Sequence, residues 1–226
     1  MEEYLDIFRK NFLFSGLSDE EISRMLVCTD AREKSYASGE YVLRRGDTVS
    51  EISILAEGRL HIQREDYWGN RSIVSDVRIG EMFGESYALP ESGVLMNDVV
   101  AAENSIVISL DCHRLLSPCS SSCPFHSRAI MNLISILAGK NRMLVRKIGH
   151  LSERTTREKL ISYLSDEALR QKSGSIDIPF SRQQLADYLA VDRSAMSKEL
   201  GKMRDERLLE THKNHFELFS VFQEFS

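Results

Sequence analysis

The sequence predicts an α+β chain. An N-terminal antiparallel β-roll stands behind short helices, and a long helix leads into a C-terminal winged helix-turn-helix. Three observations carry this expectation. Short β-prone runs between residues 31 and 110 are punctuated by Gly39, Gly46, Gly58, Gly69 and Gly80, the texture of a compact antiparallel sandwich or barrel. Apolar residues between 130 and 151 hold a heptad period, as in a coiled-coil seam. Residues 181–219 read as helix, tight turn, helix and two short strands.

Composition narrows the function classes. The 226 residues are 42% hydrophobic and 28% charged, too apolar for a disordered chain. No apolar run approaches the ~20 residues that cross a bilayer. The opening MEEYLDIFRK lacks the basic start and apolar block of a secretory signal. The expected location is therefore cytoplasmic, with no membrane partner and with the 4 cysteines reduced. The net charge of −5 hides an asymmetry. Residues 1–125 carry 12 Lys+Arg against 21 Asp+Glu, a net of −9, and residues 126–226 carry 17 against 13, a net of +4. An acidic part joined to a basic part suggests two domains, one of them facing an anion.

Residues 2–27 read as helical, with Leu5, Phe8, Phe12, Ile22, Met25 and Leu26 on an apolar face and a capping box from Ser18 to Glu21. Strands are expected at 41–43, 52–55, 60–62, 73–77, 99–101 and 106–108, with hairpin turns at Glu57-Gly58 and Gly69-Asn70. Pro124 suits the first turn of a helix capped by Ser122 or Cys123. That helix carries Ile130, Ile134, Leu137, Asn141, Leu144, Ile148 and Leu151 at alternating spacings of four and three. Such a seam needs a partner, and a second copy of the chain is the expected one. A single buried Asn, here Asn141, fixes register and dimeric state at some cost in stability, and a polar residue in such a seam suits a bistable contact. Thr155 and Glu158 open a further helix, which Gly174 is expected to close.

The chemistry concentrates in SRQQLADYLAVDRSAMSKELGKMRDERLLETHKNHFELF. Ser181 and Gln184 cap a short helix, and Ala190 and Val191 make the turn. Asp192 caps a second helix with Ala195, Met196, Leu200 and Met203 facing inward. The outward set is Arg193, Ser194, Ser197, Lys198 and Lys202. Arg grips guanine O6 and N7 bidentately, Ser donates or accepts, and Lys suits phosphates. The helix N-terminus offers a partial positive charge to a phosphate. Two strands around His212-Lys213-Asn214 form a wing, from which Lys213 reaches the backbone of double-stranded DNA. Arg182 joins the DNA-facing set.

These residues carry a family resemblance. The stretches Arg182–Leu189 and Arg193–Leu200 resemble the helix-turn-helix of the Crp/Fnr transcription regulators. Gly80-Glu81-Met82-Phe83-Gly84-Glu85 resembles the loop that ends the effector-binding roll of that family, a cyclic-nucleotide-binding-like jelly roll. The order of parts matches over nearly the whole chain. The resemblance implies a homodimer on a palindromic operator, recognition helices ~34 Å apart in successive major grooves, and RNA polymerase as a further partner. The sequence itself carries no nucleophile–base–orienter set or phosphate-cradling loop, so no enzymatic activity is expected. The resemblance implies domains at 1–126 (sensing roll), 127–153 (dimerisation helix) and 154–226 (DNA-binding). It also implies an effector pocket drawing on Phe83, Gly84, Glu85, Asn141, Leu144 and Val145.

The departures are specific. Ser194 stands where many members have Glu, so the half-site should differ. Ala190 and Arg207 stand where glycines are usual, and Arg207 faces a positive φ. The Arg that holds a cyclic phosphate is matched by Leu95 or Met96, with Asp98 nearby and Arg78 as the alternative cation. The hydroxyl pair that meets the base is matched by Leu144 and Val145. Cyclic AMP and cyclic GMP are therefore not the expected effectors, and the effector stays unidentified. No cysteine precedes Cys28, which removes the N-terminal cysteines of an iron–sulfur relative. Cys119, Cys123 and His126 fit no standard zinc spacing, although Cys123 at a helix N-terminus suits redox chemistry. The rival reading is a small-molecule or thiol/metal redox sensor whose C-terminal domain acts mainly through protein contacts. The expected reading is small residues and helix caps for the thiols and a surface position for His126.

Overall fold

The computed structural model of the chain describes residues 2–69, 71–89, 91, 93–117 and 123–219. It divides into two compact units, Met1–Gly139 and Lys140–Ser226.

The first unit opens with α1 (Leu5–Lys10), a 3-10 turn (Phe12–Phe14) and α2 (Asp19–Cys28). The capping box at the start of α2 forms as its sequence requires: Ser18 Oγ accepts from Glu21 N, and the Glu21 carboxylate accepts from Ser18 N at 2.8 Å. The break at Asn11 redirects the apolar face. Leu13 and Phe14 are buried and Phe12 is exposed, because a 3-10 turn advances side chains by a third of a turn per residue. A continuous helix would have placed Phe12 inward.

Eight strands follow: β1 (Arg32–Tyr36), β2 (Tyr41–Leu43), β3 (Glu51–Glu57), β4 (Leu60–Glu65), β5 (Arg71–Val77), β6 (Met82–Phe83), β7 (Asp98–Ala101) and β8 (Ser105–Asp111). They form two antiparallel four-stranded sheets, β1-β8-β3-β6 and β2-β7-β4-β5. Leu55, Leu60, Val77, Phe83, Val99, Ala101 and Val107 fill one cluster. Ile52, Ile54, Ile108 and Leu110 join the second cluster, with Phe8, Phe14, Met25 and Leu26 of the N-terminal helices. Strand β3 supplies both clusters, so its run Ile52–Ala56 is buried at every position. Its continuous apolar texture, with no alternation, follows from that. Its one polar member, Ser53, shares a hydrogen bond with Ser109 at 2.9 Å. Gly58 joins β3 to β4 with φ +83°, and a Cβ there would collide with the Asn104 carbonyl and Ser105. Only glycine satisfies both the left-handed backbone and the close approach.

After α3 (Cys112–Leu116) comes α4 (Pro124–Ser152). Its first part docks through Phe125, His126, Ala129 and Leu133, all buried. Asn132 donates to the Leu13 and Ser15 carbonyls at 3.0 and 2.9 Å. This stripe is the face turned to the roll, and of the heptad seam Leu137 packs against the same cluster.

The second unit takes the end of α4, then α5 (Thr156–Gln171), β9 (Ser175–Asp177), α6 (Arg182–Leu189), α7 (Arg193–Asp205), β10 (Leu209–His212) and β11 (His215–Leu218). The strands form a small antiparallel sheet, β10-β11-β9. Leu160, Leu164, Leu185, Leu189, Met196, Leu200 and Phe216 meet in its core. Helix α5 ends at Lys172, which adopts φ +51°, and not at Gly174. No helix among the described residues is long and apolar enough to cross a membrane.

Candidate nucleic-acid interface

The candidate reading helix is α7. Asp192 caps it: its carboxylate accepts from Ala195 N at 2.8 Å and from Ser194 Oγ at 2.5 Å. Those bonds hold the Asp192 carboxyl below its ordinary range. Met196, Leu200 and Met203 bury one face, and Ala195 is exposed, unlike the inward position expected for it. At 100° per residue Ala195 falls between the faces, one turn before Lys198. Arg193, Ser194, Ser197, Lys198 and Lys202 are all exposed.

Two members of this set are already engaged. The Ser194 hydroxyl donates to its own cap, which leaves its oxygen as an acceptor. Lys202 Nζ lies 3.2 Å from Glu199. The expectation of a phosphate at the helix N-terminus also changes, because the Asp192 carboxylate occupies the first free amides and adds a like charge. Arg193, Ser197 and Lys198 remain as the open polar face.

Helix α7 is held by α5. Arg157 forms ion pairs with Glu199 at 3.3 Å and with Glu206, which is driven below the usual carboxylate range by that contact. Lys159 donates to the Leu189 carbonyl at 3.2 Å and so tops the C-terminus of α6. The α6–α7 turn runs through Ala190 at φ +50°. Val191 N reaches the Ala186 carbonyl at 3.0 Å and Ala190 N reaches Asp187 at 3.2 Å, the two bonds of a Schellman motif. Helix α7 ends the same way at Arg207, φ +60°, with Leu208 N bonded to Met203 O at 2.9 Å.

Arg182 lies differently from its expected place. Its guanidinium sits 4.7 Å over the Phe216 ring and donates to Thr211 Oγ1. Burial pulls its pKa down from the ordinary arginine value. It braces α6 against the wing, where a flat cation finds an aromatic face. Lys213, at the wing tip with φ +54°, is exposed.

The end of α4 packs on the same unit. His150 is buried, shares a hydrogen bond with Ser162 at 2.9 Å, and meets Tyr163 edge-on at 5.6 Å. Lys147 lies over Tyr188 at 5.2 Å.

In the roll, Phe83 closes β6 and Gly84 turns at φ +81°. Glu85 is 4% exposed and accepts from Ser86 Oγ at 3.2 Å. At the positions where a phosphate-holding cation is needed, Leu95 is buried and Met96 is exposed. Asp98 accepts from Arg45 N at 2.8 Å. The donor set does not fit an anionic cyclic phosphate, which requires a charged or strongly polar partner.

Along α4, Ile134, Leu144 and Ile148 of the seam are 52%, 59% and 63% exposed. Asn141 and Val145 are exposed, and Ile130, Leu137 and Leu151 are half-buried. Of the thiol candidates, Cys119 lies outside the described residues. Cys123 is half-buried, and its carbonyl accepts from His126 N at 3.2 Å. His126 is 4% exposed, stacked on Phe125 at 5.0 Å, with no hydrogen bond to either ring nitrogen. It is a core residue and not the surface polar expected for it, because it shares the docking stripe of Phe125, Ala129 and Leu133. Burial lowers its pKa. Among the described residues no group of three His, Cys, Asp or Glu side chains is arranged to hold a metal.

A roll with a buried Gly-Glu loop, a long helix and a winged pair of helices define a two-domain helix-turn-helix protein. Residues 33–122 match the cyclic nucleotide-binding domain family, and residues 158–220 match the Crp-like helix-turn-helix domain. The chain belongs to the Crp/Fnr-type transcription regulators. It is similar to a probable transcriptional regulator, flp, of Lacticaseibacillus casei, at 24% identity over 200 residues, covering 88% of this chain and 87% of that protein. In fold it is similar to the catabolite activator protein of Thermus thermophilus, with a TM-score of 0.50, 21% identity and 92% and 93% of the two chains covered. It is also similar to the c-di-GMP responsive global regulator CLP of Xanthomonas campestris, with a TM-score of 0.54, 19% identity and 90% and 100% covered.

Proposed function

We propose that this Crp/Fnr-type regulator acts as a homodimer that reads a palindromic site in double-stranded DNA. The carrying observation is the open face of α7, where Arg193, Ser197 and Lys198 stand together beside a buried Met196–Leu200–Met203 stripe. Arg193 and Ser197 read base edges, and Lys198 with Lys202 and Lys213 meets phosphates. Arg182 holds the wing in position for Lys213. Dimerisation uses the seam of α4, whose Ile134, Leu144 and Ile148 are more than half exposed in one chain. A row of large aliphatic side chains at heptad spacing gains about 1.5–3 kcal/mol per fully buried residue when a partner covers it. The seam's Asn141 favours a pair over higher oligomers. The signal is an unidentified small molecule other than cyclic AMP or cyclic GMP, or a redox change, and the setting is the cytoplasm, with RNA polymerase as the downstream partner.

Electrophoretic titration against a library of palindromes tests the reading. A selected site should be bound with a log–log salt slope of about −0.9 per neutralised phosphate. Arg193→Ala together with Lys198→Ala should abolish selection. Undiminished binding by that double variant, or a flat salt response, overturns it.

A further inference from the structure

We propose that the roll carries an anion-binding cleft at its β1–β2 corner that takes the phosphate group of a small aliphatic phosphate ester. The cleft has a volume of about 380 Å³ and is lined by Lys34, Tyr36, Gly39, Glu40, Tyr41 and Arg44, among others. That volume falls at the lower end of small-molecule sites, about 300–1,000 Å³. Strands β1 and β2 are the first edges of the two sheets, and the turn between them forms the corner. This site does not rest on the DNA reading and uses none of its residues.

The two cations are set in place before any ligand arrives. Lys34 Nζ lies 4.7 Å from the centre of the Tyr36 ring, and Arg44 Cζ lies 4.0 Å from that of Tyr41. Ring faces hold both side chains without neutralising them, so less rotamer freedom is lost on binding. Glu40, the acidic member of the lining, points its carboxylate into its own turn and accepts from Ala37 N at 2.6 Å. Gly39 keeps the floor open: it turns at φ +87°, and a Cβ there would meet nothing within 4 Å. A planar guanidinium and a point-charge ammonium lining one cleft match the several oxygens of a phosphate.

The surroundings select the class of ligand. Residues 1–125 carry a net charge of −9, a field that repels a polyanion such as nucleic acid or an anionic membrane. A small ester brings limited charge and meets the two cations at short range. One face of each tyrosine ring is taken by a cation, which removes those two faces as stacking platforms for a nucleobase. An aliphatic phosphate fits these restrictions, with the ester's body lying along the open Gly39 side.

Calorimetry on the full-length protein with glycerol 3-phosphate, and separately with inorganic phosphate, tests the proposal. Saturable binding of the ester near about 0.1–1 mM is expected. Lys34→Gln with Arg44→Gln should weaken it at least about tenfold, and Arg44→Lys, which keeps charge but loses the fork, by several-fold. A thermal melt reports whether the double variant is folded. If it is not, protection of Lys34 from amine acetylation by the ester in the unaltered protein gives the same readout. Absence of heat and of protection up to about 10 mM overturns the site. So does binding that persists in a folded double variant. Tighter binding of inorganic phosphate than of the ester overturns the ligand class. Binding to the selected palindrome, measured alongside, should not change in the double variant.

Discussion

The two units place their informative residues on opposite sides of the protein–water boundary. In Lys140–Ser226 the candidate readers Arg193, Ser197 and Lys198 face solvent on one helix. In Met1–Gly139 the residues of the resembling loop, Phe83 and Glu85, are buried. Pairing of β6 with the middle of β3 holds that loop: Phe83 lies opposite Ser53 and Met82 opposite Ile54. A surface reader is written into one helix and its local period. A sensor is written into long-range pairing, so its shape depends on strands that are distant in sequence. Damage should follow the same division, lowering stability in the first unit and DNA affinity in the second.

The largest effect is expected at Ile54, fully buried in β3. Ile54→Ala should cost about 2–5 kcal/mol. Amide exchange read on fragments of each unit should show the loss over the roll strands, with α5–α7 still protected. Equal loss of protection in α7 would break the contrast. Next comes Arg193→Ala, which should weaken binding to the selected site by about 1–3 kcal/mol and leave the melting temperature within error. A matching drop in stability would mean that Arg193 packs and does not read.

These contrasts also explain what the sequence made legible. The capping boxes at Ser18, Thr155 and Ser181 all form, because each depends on residues three apart and on nothing else. The six expected strands appear too; those at 41–43, 52–55, 60–62 and 73–77 lie between glycines that turn at positive φ, while β7 and β8 are marked by their apolar β-branched runs alone. Strand β1 has no such signature. Its sequence Arg-Glu-Lys-Ser-Tyr lies on a sheet edge and is mostly exposed, so neither apolar content nor alternation marks it. It is a strand because β8 pairs with it. The cap of α7 was legible, but its consequence was not. That Ser194 donates to Asp192 depends on a rotamer, and the rotamer decides which polar groups remain for DNA. Arg182 reads as a surface cation from its position at the start of α6, and only the tertiary placement of Phe216 and Thr211 turns it inward.

Acid sharpens the contrast with a smaller effect. The His126 ring is buried in the first unit with neither nitrogen hydrogen-bonded, and burial lowers its pKa below the ordinary 6.5. The unfolded chain then binds more protons than the folded one as pH drops through that range. Stability from this residue is complete above about 6.5 and declines below it, by at most about 1.4 kcal/mol per pH unit. Melting curves from pH 7 to pH 5 should fall for the roll, and His126→Leu should flatten the fall. An unaltered pH profile in that variant would assign the acid response to other groups.

The smallest effect has the opposite sign and belongs to the second unit. There α5, α6 and α7 end on non-glycine residues in the left-handed region: Lys172, Ala190 and Arg207, with φ of +51°, +50° and +60°. An L residue pays roughly 1–2 kcal/mol there relative to the right-handed region, and glycine does not. Part of that difference returns as the greater entropy of glycine in the unfolded chain. Ala190 isolates the balance, since its side chain is one exposed methyl and both Schellman bonds use backbone alone. Ala190→Gly should therefore raise the stability of the winged unit by about 0.5–1 kcal/mol. Affinity for the selected palindrome should hold, because the turn keeps its φ and α7 keeps its Asp192 cap and Arg157 brace. If stability rises while affinity falls, the strained turn contributes to aiming α7, and the reading site extends beyond the residues that touch DNA. If stability falls, unfolded-state entropy outweighs the backbone strain at this turn.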